Sequence, residues 1–304
     1  MRQEKKNSEK GMALVITLMI TALLVVVITE IAYAVHVHQS MSAIFIDAQD
    51  AGLLAEGGVD LAGAAIEEMT EDTYTFIDEE ETRVLPVGEK FLTLRVVDEQ
   101  ARVSVNAIIY KNGQTNEKLY DIYARLINIL DLDPALADIA ADWMDPDDEP
   151  RSLGAEDPDY YTRSSVGYKS KGGPLDSAGE LALAKGYSPE VMGKLVPNIT
   201  AYGDGLININ NAPRVVLMAL SVDITEALAD AVIAYRKKTP FKTTADIRKV
   251  EGFEIIGFDL QGLITVKSKT FRIFSRAVAN EAVREVEAVV SIGGINKRLF
   301  WRER

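Results

Sequence analysis

The segment from Met12 to Thr29 constrains this chain more than any other. It carries no charge and is built largely of Ala, Leu, Val, Ile and Met. As a helix it spans about 27 Å at about 1.5 Å per residue, close to the apolar thickness of a bilayer. Arg2, Lys5, Lys6 and Lys10 precede it, only partly offset by Glu4 and Glu9. That excess of positive charge predicts a cytoplasmic N-terminus and an exported remainder. Two fates are open to such a run. Ala32-Tyr33-Ala34 offers an A-x-A site at which a signal peptidase would remove it. Lys10-Gly11-Met12-Ala13-Leu14 offers the other fate: a short basic leader ends in Gly and the apolar run begins at once. Cleavage between Gly11 and Met12 would then leave residues 12–38 as a permanent transmembrane helix, and this is the expectation. A small residue at Gly11 suits a peptidase that holds extended backbone closely.

The helical pattern continues past the membrane. Ile44, Ala48, Ala51, Leu54, Ala55, Val59, Ala62 and Ile66 fall mostly on one face, with Asp47, Asp50, Glu56, Asp60 and Glu67 elsewhere. Glu71 to Thr82 is acidic, Thr-rich and read as a solvated loop. Residues 91–97 and 102–105 read as two strands joined around Asp98-Glu99-Gln100. Helical periods follow at 116–130, 134–143, 176–185, 189–195, 213–220, 224–237 and 243–250, with Thr243 or Thr244 as a cap for the last. Met144 to Gly173 is rich in Asp, Pro, Gly and Ser and reads as a long irregular loop, a feature that is usually functional or disordered. Residues 271–278 and 284–292 alternate as a hairpin. Strands therefore flank a helical block. The expected architecture is α+β: a first part over 39–108, an inserted all-α domain over 109–269, and C-terminal strands over 270–304. No tandem repeat stands out, apart from an echo between Val103-Ser104-Val105-Asn106 and Ile207-Asn208-Ile209-Asn210.

Charge and composition remove several functions. The net charge of −13 opposes general nucleic-acid binding. With no cysteine there are no disulfides, thiolate zinc sites or cysteine nucleophiles. With His36 and His38 as the only histidines, there is no distributed set for a catalytic triad.

Two motifs remain. Asp142-Trp143-Met144-Asp145-Pro146-Asp147-Asp148-Glu149-Pro150 is followed by Gly154-Ala155-Glu156-Asp157-Pro158-Asp159-Tyr160. Crowded carboxylates repel one another, and a hard cation such as calcium, with ~6–8 oxygen ligands, would relieve them. Alternate spacing at Asp145, Asp147 and Glu149 can aim oxygens at one centre. The Gly and final Glu of an EF-hand are missing, and spacing alone leaves calcium and a solvated acidic loop equally open. A carboxylate pair for glycoside hydrolysis is a third reading, without an aromatic sugar cleft to support it. The second motif runs through Ile207-Asn208-Ile209-Asn210-Asn211-Ala212-Pro213 and on to Pro240-Phe241-Lys242-Thr243, and looks like a helix-hairpin-helix or SAM-like module. DNA-binding versions use a Gly-containing hairpin to meet phosphate. Here the hairpin Ser221-Val222-Asp223-Ile224-Thr225 has no glycine and adds an acid, although Arg236, Lys237, Lys238 and Lys242 form a local basic cluster. A structural helical module is the favoured reading, and a membrane-anchored DNA-binding protein the alternative.

Taken in order, the Gly11-Met12 leader, the apolar helix, Ala141-Asp142-Trp143-Met144-Asp145-Pro146-Asp147, Gly154-Ala155-Glu156-Asp157 with Tyr160, Gly179-Glu180-Leu181 and Ile207 to Pro213 resemble the minor pseudopilin K family of the type II secretion system. The resemblance covers nearly the whole chain. It implies a pilin-like long helix on a small antiparallel sheet, interrupted by the helical insertion. It implies no enzymatic activity. It implies cleavage of residues 1–11 by a prepilin peptidase, methylation of the new N-terminus, and a single-pass inner-membrane protein with a periplasmic domain. It also implies a place at the tip of a short pseudopilus with minor pseudopilins I and J and the major pseudopilin, and exported substrates as further candidate partners. Calcium is implied at Asp145, Asp147, Glu156 and Asp159, with Asp148, Glu149 and Asp157 as further ligands. Extra prolines in the loop depart from the family pattern and can shift individual ligands. Pilins usually carry Glu at the fifth residue of the processed chain. Ile16 stands there, between uncharged Val15 and Thr17, as expected of a subunit with nothing above it.

Overall fold

The computed structural model describes residues 2–70, 75–78, 81–147, 149–153, 167–293 and 297–304, with backbone alone for 2–11, 70 and 297. One helix, α1 (Arg2–Thr70), opens the chain. Its apolar side chains from Met12 to Ile46 lie open, and none of the most apolar window is buried. Its second half packs on a sheet through Ala51, Ala55, Val59, Ala62 and Ile66, whose spacing of three and four lays them along one face. Ile44 belongs to that stripe in the sequence but is 64% exposed, because the sheet begins only below it. Gly58 sets the approach of helix to sheet. A Cβ there would stand 2.2 Å from Ser275 Oγ and 2.8 Å from Leu92 Cδ1.

The sheet is antiparallel, in the order β1-β2-β7-β8-β9, from β1 (Thr82–Val87), β2 (Lys90–Asp98), β7 (Thr270–Ala279), β8 (Ala282–Ser291) and β9 (Lys297–Glu303). The C-terminal hairpin is as expected. Strand β1 begins at the end of the stretch read as a loop, and β9 lies beyond the last segment read as a strand; both are edge strands with exposed, charged residues that blur the alternation. The expected pairing of 91–97 with 102–105 does not form. Asp98 accepts a hydrogen bond from the Gln100 amide and starts a 3-10 turn over Glu99–Ala101, which turns the chain out of the sheet. β3 (Val103–Ser104) then pairs in parallel with β4 (Ile199–Thr200).

The block between β2 and β7 has its own apolar core, separate from that under α1. This core takes in Val103, Val105 and Ile108, so it reaches back before Ile109, the expected start of the insertion. Nor is the block purely helical, since β5 (Ile207–Asn208) and β6 (Ile264–Thr265) form a second parallel pair.

The echo noted in the sequence proves to be a structural duplication. The first unit runs from β3 through α2 (Glu117–Ile129), α3 (Ala135–Met144), a 3-10 turn at Ala178–Leu183 and a helix at Pro189–Leu195 to β4. The second runs from β5 through helices Arg214–Ala219 and Glu226–Lys238, a 3-10 turn at Thr244–Lys249 and a short helix at Ile256–Asp259 to β6. In the first, the Asn106 amide group donates to Leu175 O and Ala201 O and accepts from Leu175 N. In the second, Asn210 donates to Phe241 O and Val266 O and accepts from Phe241 N. Each 3-10 turn carries a capping box, Ser177 with Glu180 and Thr243 with Asp246. Ser177 to Leu181 and Thr243 to Ile247 share a hydroxyl, an acid and an apolar residue at matching places but few identical residues, which hides the repeat in the sequence.

Candidate functional site

The duplication isolates the acidic loop. In the second unit, helix Glu226–Lys238 reaches Pro240 through Thr239 alone. In the first, residues 145–173 intervene between α3 and the equivalent Pro174. The unit folds without such a loop, so the loop is an addition to it.

The base of the loop is the acidic face of α3. Asp138, Asp142 and Asp145 follow at four and three residues, share one side of the helix, and are all buried. Asp138 accepts from Tyr120 Oη and from the Leu153 amide. Asp142 accepts from the Arg151 amide and, at 2.6 Å, from its guanidinium, which also bonds Asp145 Oδ2 and donates to Thr115 Oγ1. Asp145 Oδ1 is buried and accepts no hydrogen bond from the described residues. Burial pushes the carboxyls of Asp142 and Asp145 above the ordinary range, and hydrogen bonds from Arg151 oppose that rise. Burial, then the bond to Asp138, raises the Tyr120 phenol.

Of the residues expected to bind metal, Asp145 is held on this face, whereas Asp147 and Glu149 are exposed; the Asp147 carboxylate accepts from the Glu149 amide in a local turn. These three are not brought to one centre, and among the described residues no group of three His, Cys, Asp or Glu could hold a metal ion. Asp148, Glu156, Asp157 and Asp159 lie outside the described residues. Asp138 and Arg151 were not singled out in the sequence. The signal was there for the acids: three aspartates at helical spacing on an otherwise apolar helix. Two of the buried carboxylates, Asp142 and Asp145, thus share one guanidinium, while Asp138 beside them is bonded by Tyr120 and the Leu153 amide.

The second motif is a structural hub. Asn208 donates to Asp98 Oδ2 at 2.9 Å, to Ser268 Oγ and to Thr75 O. Asn211 donates to Asp98 Oδ2 at 2.6 Å and accepts from the Ile77 amide. Ser268 Oγ donates to the same oxygen at 2.6 Å. The fully buried Asp98 thus ties the end of β2, the segment after α1, and both ends of the second unit. Arg236, part of the basic cluster considered for DNA, is buried and donates to Ile209 O and Ala212 O. That removes it from any phosphate-facing surface.

At the other end of the chain, Gly11 and Met12 lie within α1, and Ile16 is exposed among apolar neighbours.

Comparison with known proteins adds the following. Residues 101–204 and 207–266 match two family models, both described as type II secretion system (T2SS), protein K. Their boundary falls between the two repeated units. A Klebsiella pneumoniae type II secretion system protein K is 28% identical over 216 residues, covering 67% of this chain and 66% of that protein. The chain therefore spans just under two thirds of the length of that relative. A Pseudomonas aeruginosa type II secretion system protein K is 25% identical over 263 residues, covering 80% of this chain and 77% of that protein. The fold matches a chain in the crystal structure of the GspK-GspI-GspJ complex from enterotoxigenic Escherichia coli with a TM-score of 0.67 at 17% identity. That match covers 88% of this chain and 98% of the other, and speaks for the fold: a long N-terminal helix on an antiparallel sheet with a helical insertion.

Proposed function

The chain belongs to the family of type II secretion system protein K, and from that premise we propose that it is a non-enzymatic minor pseudopilin that caps the tip of a pseudopilus. The observation that carries this is the division of α1. Its first half is apolar and unpacked, while its second half is the spine of the sheet. Such a helix is both membrane anchor and shaft segment. The protein is read as single-pass in the inner membrane, N-terminus cytoplasmic and sheet periplasmic, after cleavage between Gly11 and Met12 and methylation of the new terminus. The two repeated units are read as SAM-like. Minor pseudopilins I and J and the major pseudopilin are its assembly partners, and exported substrates are candidates for contact at the tip.

The tip position rests on Ile16. A carboxylate in the apolar layer is tolerated where it neutralises the terminal amine of a subunit above, and none stands here. Counting labelled copies in isolated pseudopili tests it. One copy per filament end is expected; copies spaced along the shaft would overturn the reading. N-terminal sequencing of membrane-extracted protein should begin at Met12, and a start near residue 35 would restore the signal-peptide alternative.

Calcium is the proposed cofactor. Asp145, with Asp147, Asp148, Glu149, Glu156, Asp157 and Asp159 from the loop, would hold it. The ion would supply the charge that Arg151 alone does not, and fix the added loop to α3. Binding to the folded state alone adds about 2.7 kcal/mol at a hundredfold excess over Kd. A thermal melt of the full chain in detergent, with calcium and with chelator, should show separate midpoints. Asp145→Ala with Asp147→Ala should remove the difference. Equal midpoints for the unaltered chain across millimolar calcium would sink the metal reading.

A further inference from the structure

The face of the sheet turned away from α1 carries a site of opposite sign to the protein as a whole. Cross-strand register places Arg95, Phe274, Glu287 and Arg302 in one row across β2, β7, β8 and β9. Arg272, one step along β7, and Arg102, just past β2, complete a cleft of about 360 Å³ between the sheet and the first repeated unit. Four arginines meet two glutamates. Buried Glu99 accepts from Arg272 at 2.6 Å and from Arg102 at 3.3 Å. Glu287 accepts from Arg272 and Arg302. Arg95 has no carboxylate partner among the described residues; its guanidinium stacks on Phe274, 4.2 Å from the ring centre. Asp176, beside the cleft wall, is already paired with Lys171. Arginines thus outnumber the carboxylates paired with them in this cleft, in a chain of net charge −13.

The same face continues away from the cleft without cover. One step along, Thr93 and Arg276 are in register, with Glu285 opposite Arg276. One further step brings Phe91, Val278 and Val283 into a row, with Phe91 52% and Val283 40% exposed. Arg95 lies four positions beyond Phe91, about 13 Å along an extended strand. Among the described residues an open sheet surface thus runs from an apolar row, over a row holding Arg276, Glu285 and Arg304, to an arginine cleft.

We propose that this face docks an acidic segment of another protein, an extended peptide with an apolar side chain on the Phe91 row and carboxylates in the arginine cleft. Guanidinium groups present a planar fork that matches a carboxylate, and Arg95 and Arg302 are the pair best placed to offer it, being stacked and half-exposed respectively. The apolar row favours a peptide over a free anion, which would use the cleft alone. The proposal is independent of the calcium reading, since none of its residues lies on the acidic loop.

The test uses the full chain in neutral detergent and a fluorescent peptide, Leu-Ser-Thr-Ser-Glu-Glu with blocked ends, followed by anisotropy. Its Gln-Gln counterpart and inorganic phosphate are the controls. The acidic peptide should bind about tenfold or more tightly than the amide peptide, and more weakly as salt rises. Arg95→Gln with Arg302→Gln should weaken binding about tenfold, and Phe91→Ser should weaken it without changing the salt dependence. Should the double variant unfold, Arg95→Glu alone replaces the one arginine without a carboxylate partner and should weaken binding as much. Equal binding of both peptides, or undiminished binding by folded Arg95→Glu, overturns the proposal. Phosphate binding without peptide binding overturns it too, by reducing the cleft to an anion site.

Discussion

Replacing Asp98 should uncouple the two cores of the molecule. Its Oδ2 takes three donors, from Asn208, Asn211 and Ser268, and its Oδ1 takes the Gln100 amide. In Asp98→Ala, the Asn208 amide keeps Thr75 O, but Asn211 is left with a 3.4 Å contact to the same oxygen, and Ser268 Oγ loses its acceptor. Two poorly satisfied buried donors and one lost turn cap amount to about 3 kcal/mol, at about 1–3 kcal/mol for each buried group left unmade. Asp98→Asn keeps the shape but turns one oxygen into a donor, so either the three-donor side or the Gln100 side faces a mismatch, at about 1–2 kcal/mol. The two tryptophans report the outcome separately. Trp143 is buried in the core of the repeated units, and Trp301 packs on the core under α1. With each tryptophan kept alone through Trp301→Phe or Trp143→Phe, urea unfolding in detergent should give one shared midpoint for the parent protein and two separated midpoints with Asp98→Ala. Coincident midpoints and a loss under about 0.5 kcal/mol for the Ala variant would refute the idea that Asp98 joins the two bodies.

Three further outcomes follow from the packing. Gly58→Val should cost about 3 kcal/mol or more in urea midpoints, because Ser275 and Leu92 cannot both withdraw; an unchanged midpoint would mean α1 slides freely on the sheet. Asn106→Ala and Asn210→Ala should each cost about 2–4 kcal/mol, since each loses an equivalent amide clamp; a large cost for one and none for the other would show the units to be unequal. Asp246 is held down to about 2, first by Lys249 and, against some burial, by the Thr243 and Lys242 amides. A depressed carboxyl stabilises the fold above its unfolded pKa near ~4 and loses that contribution as pH falls toward about 2. Asp246→Asn should therefore lower the melting temperature at pH 7 and have little effect near pH 2, the exposed Lys249 contributing little of the difference.

How much of this molecule could be read from its sequence depended on whether the governing interaction was local. The span of α1, the helix bounds near 117–129 and 226–238, the capping threonine at 243 and the C-terminal hairpin all follow from periodicity and caps within a few residues. The edge strands did not, because β1 and β9 are specified by partners distant in sequence rather than by their own alternation. Asp98 reads in the sequence as part of a turn between strands, whereas in the fold it is a buried acceptor for side chains more than a hundred positions away. Ile207 to Pro213 was recognisable as a family signature, but its reason is visible only in space: two of its asparagines reach Asp98 and a third clamps Phe241.

The acidic loop shows how the same physics separates scaffold from addition. Both units need an asparagine clamp, a capping box and two parallel strand ends, and both have them. Only the first departs from the minimal connection, and it does so with carboxylates beyond what its own fold requires. A loop that merely joined α3 to Pro174 could be one residue long, as Thr239 is in the second unit. It would not need Asp142 and Asp145 buried beneath it against a single Arg151, since burying carboxylates costs stability unless they are paired. Arg151 is itself part of the loop, so loop and acidic face hold each other, with a further bond from Arg151 to Thr115. At Asp98 burial also pushes the carboxyl up, but donors from Gln100, Asn208, Asn211 and Ser268 oppose that rise, and their bonds serve to join two cores. At α3 one buried oxygen, Asp145 Oδ1, has no donor among the described residues. That contrast, more than the density of acids in the sequence, sets the α3 face apart from a solvated acidic turn, since its carboxylates are buried and share one guanidinium.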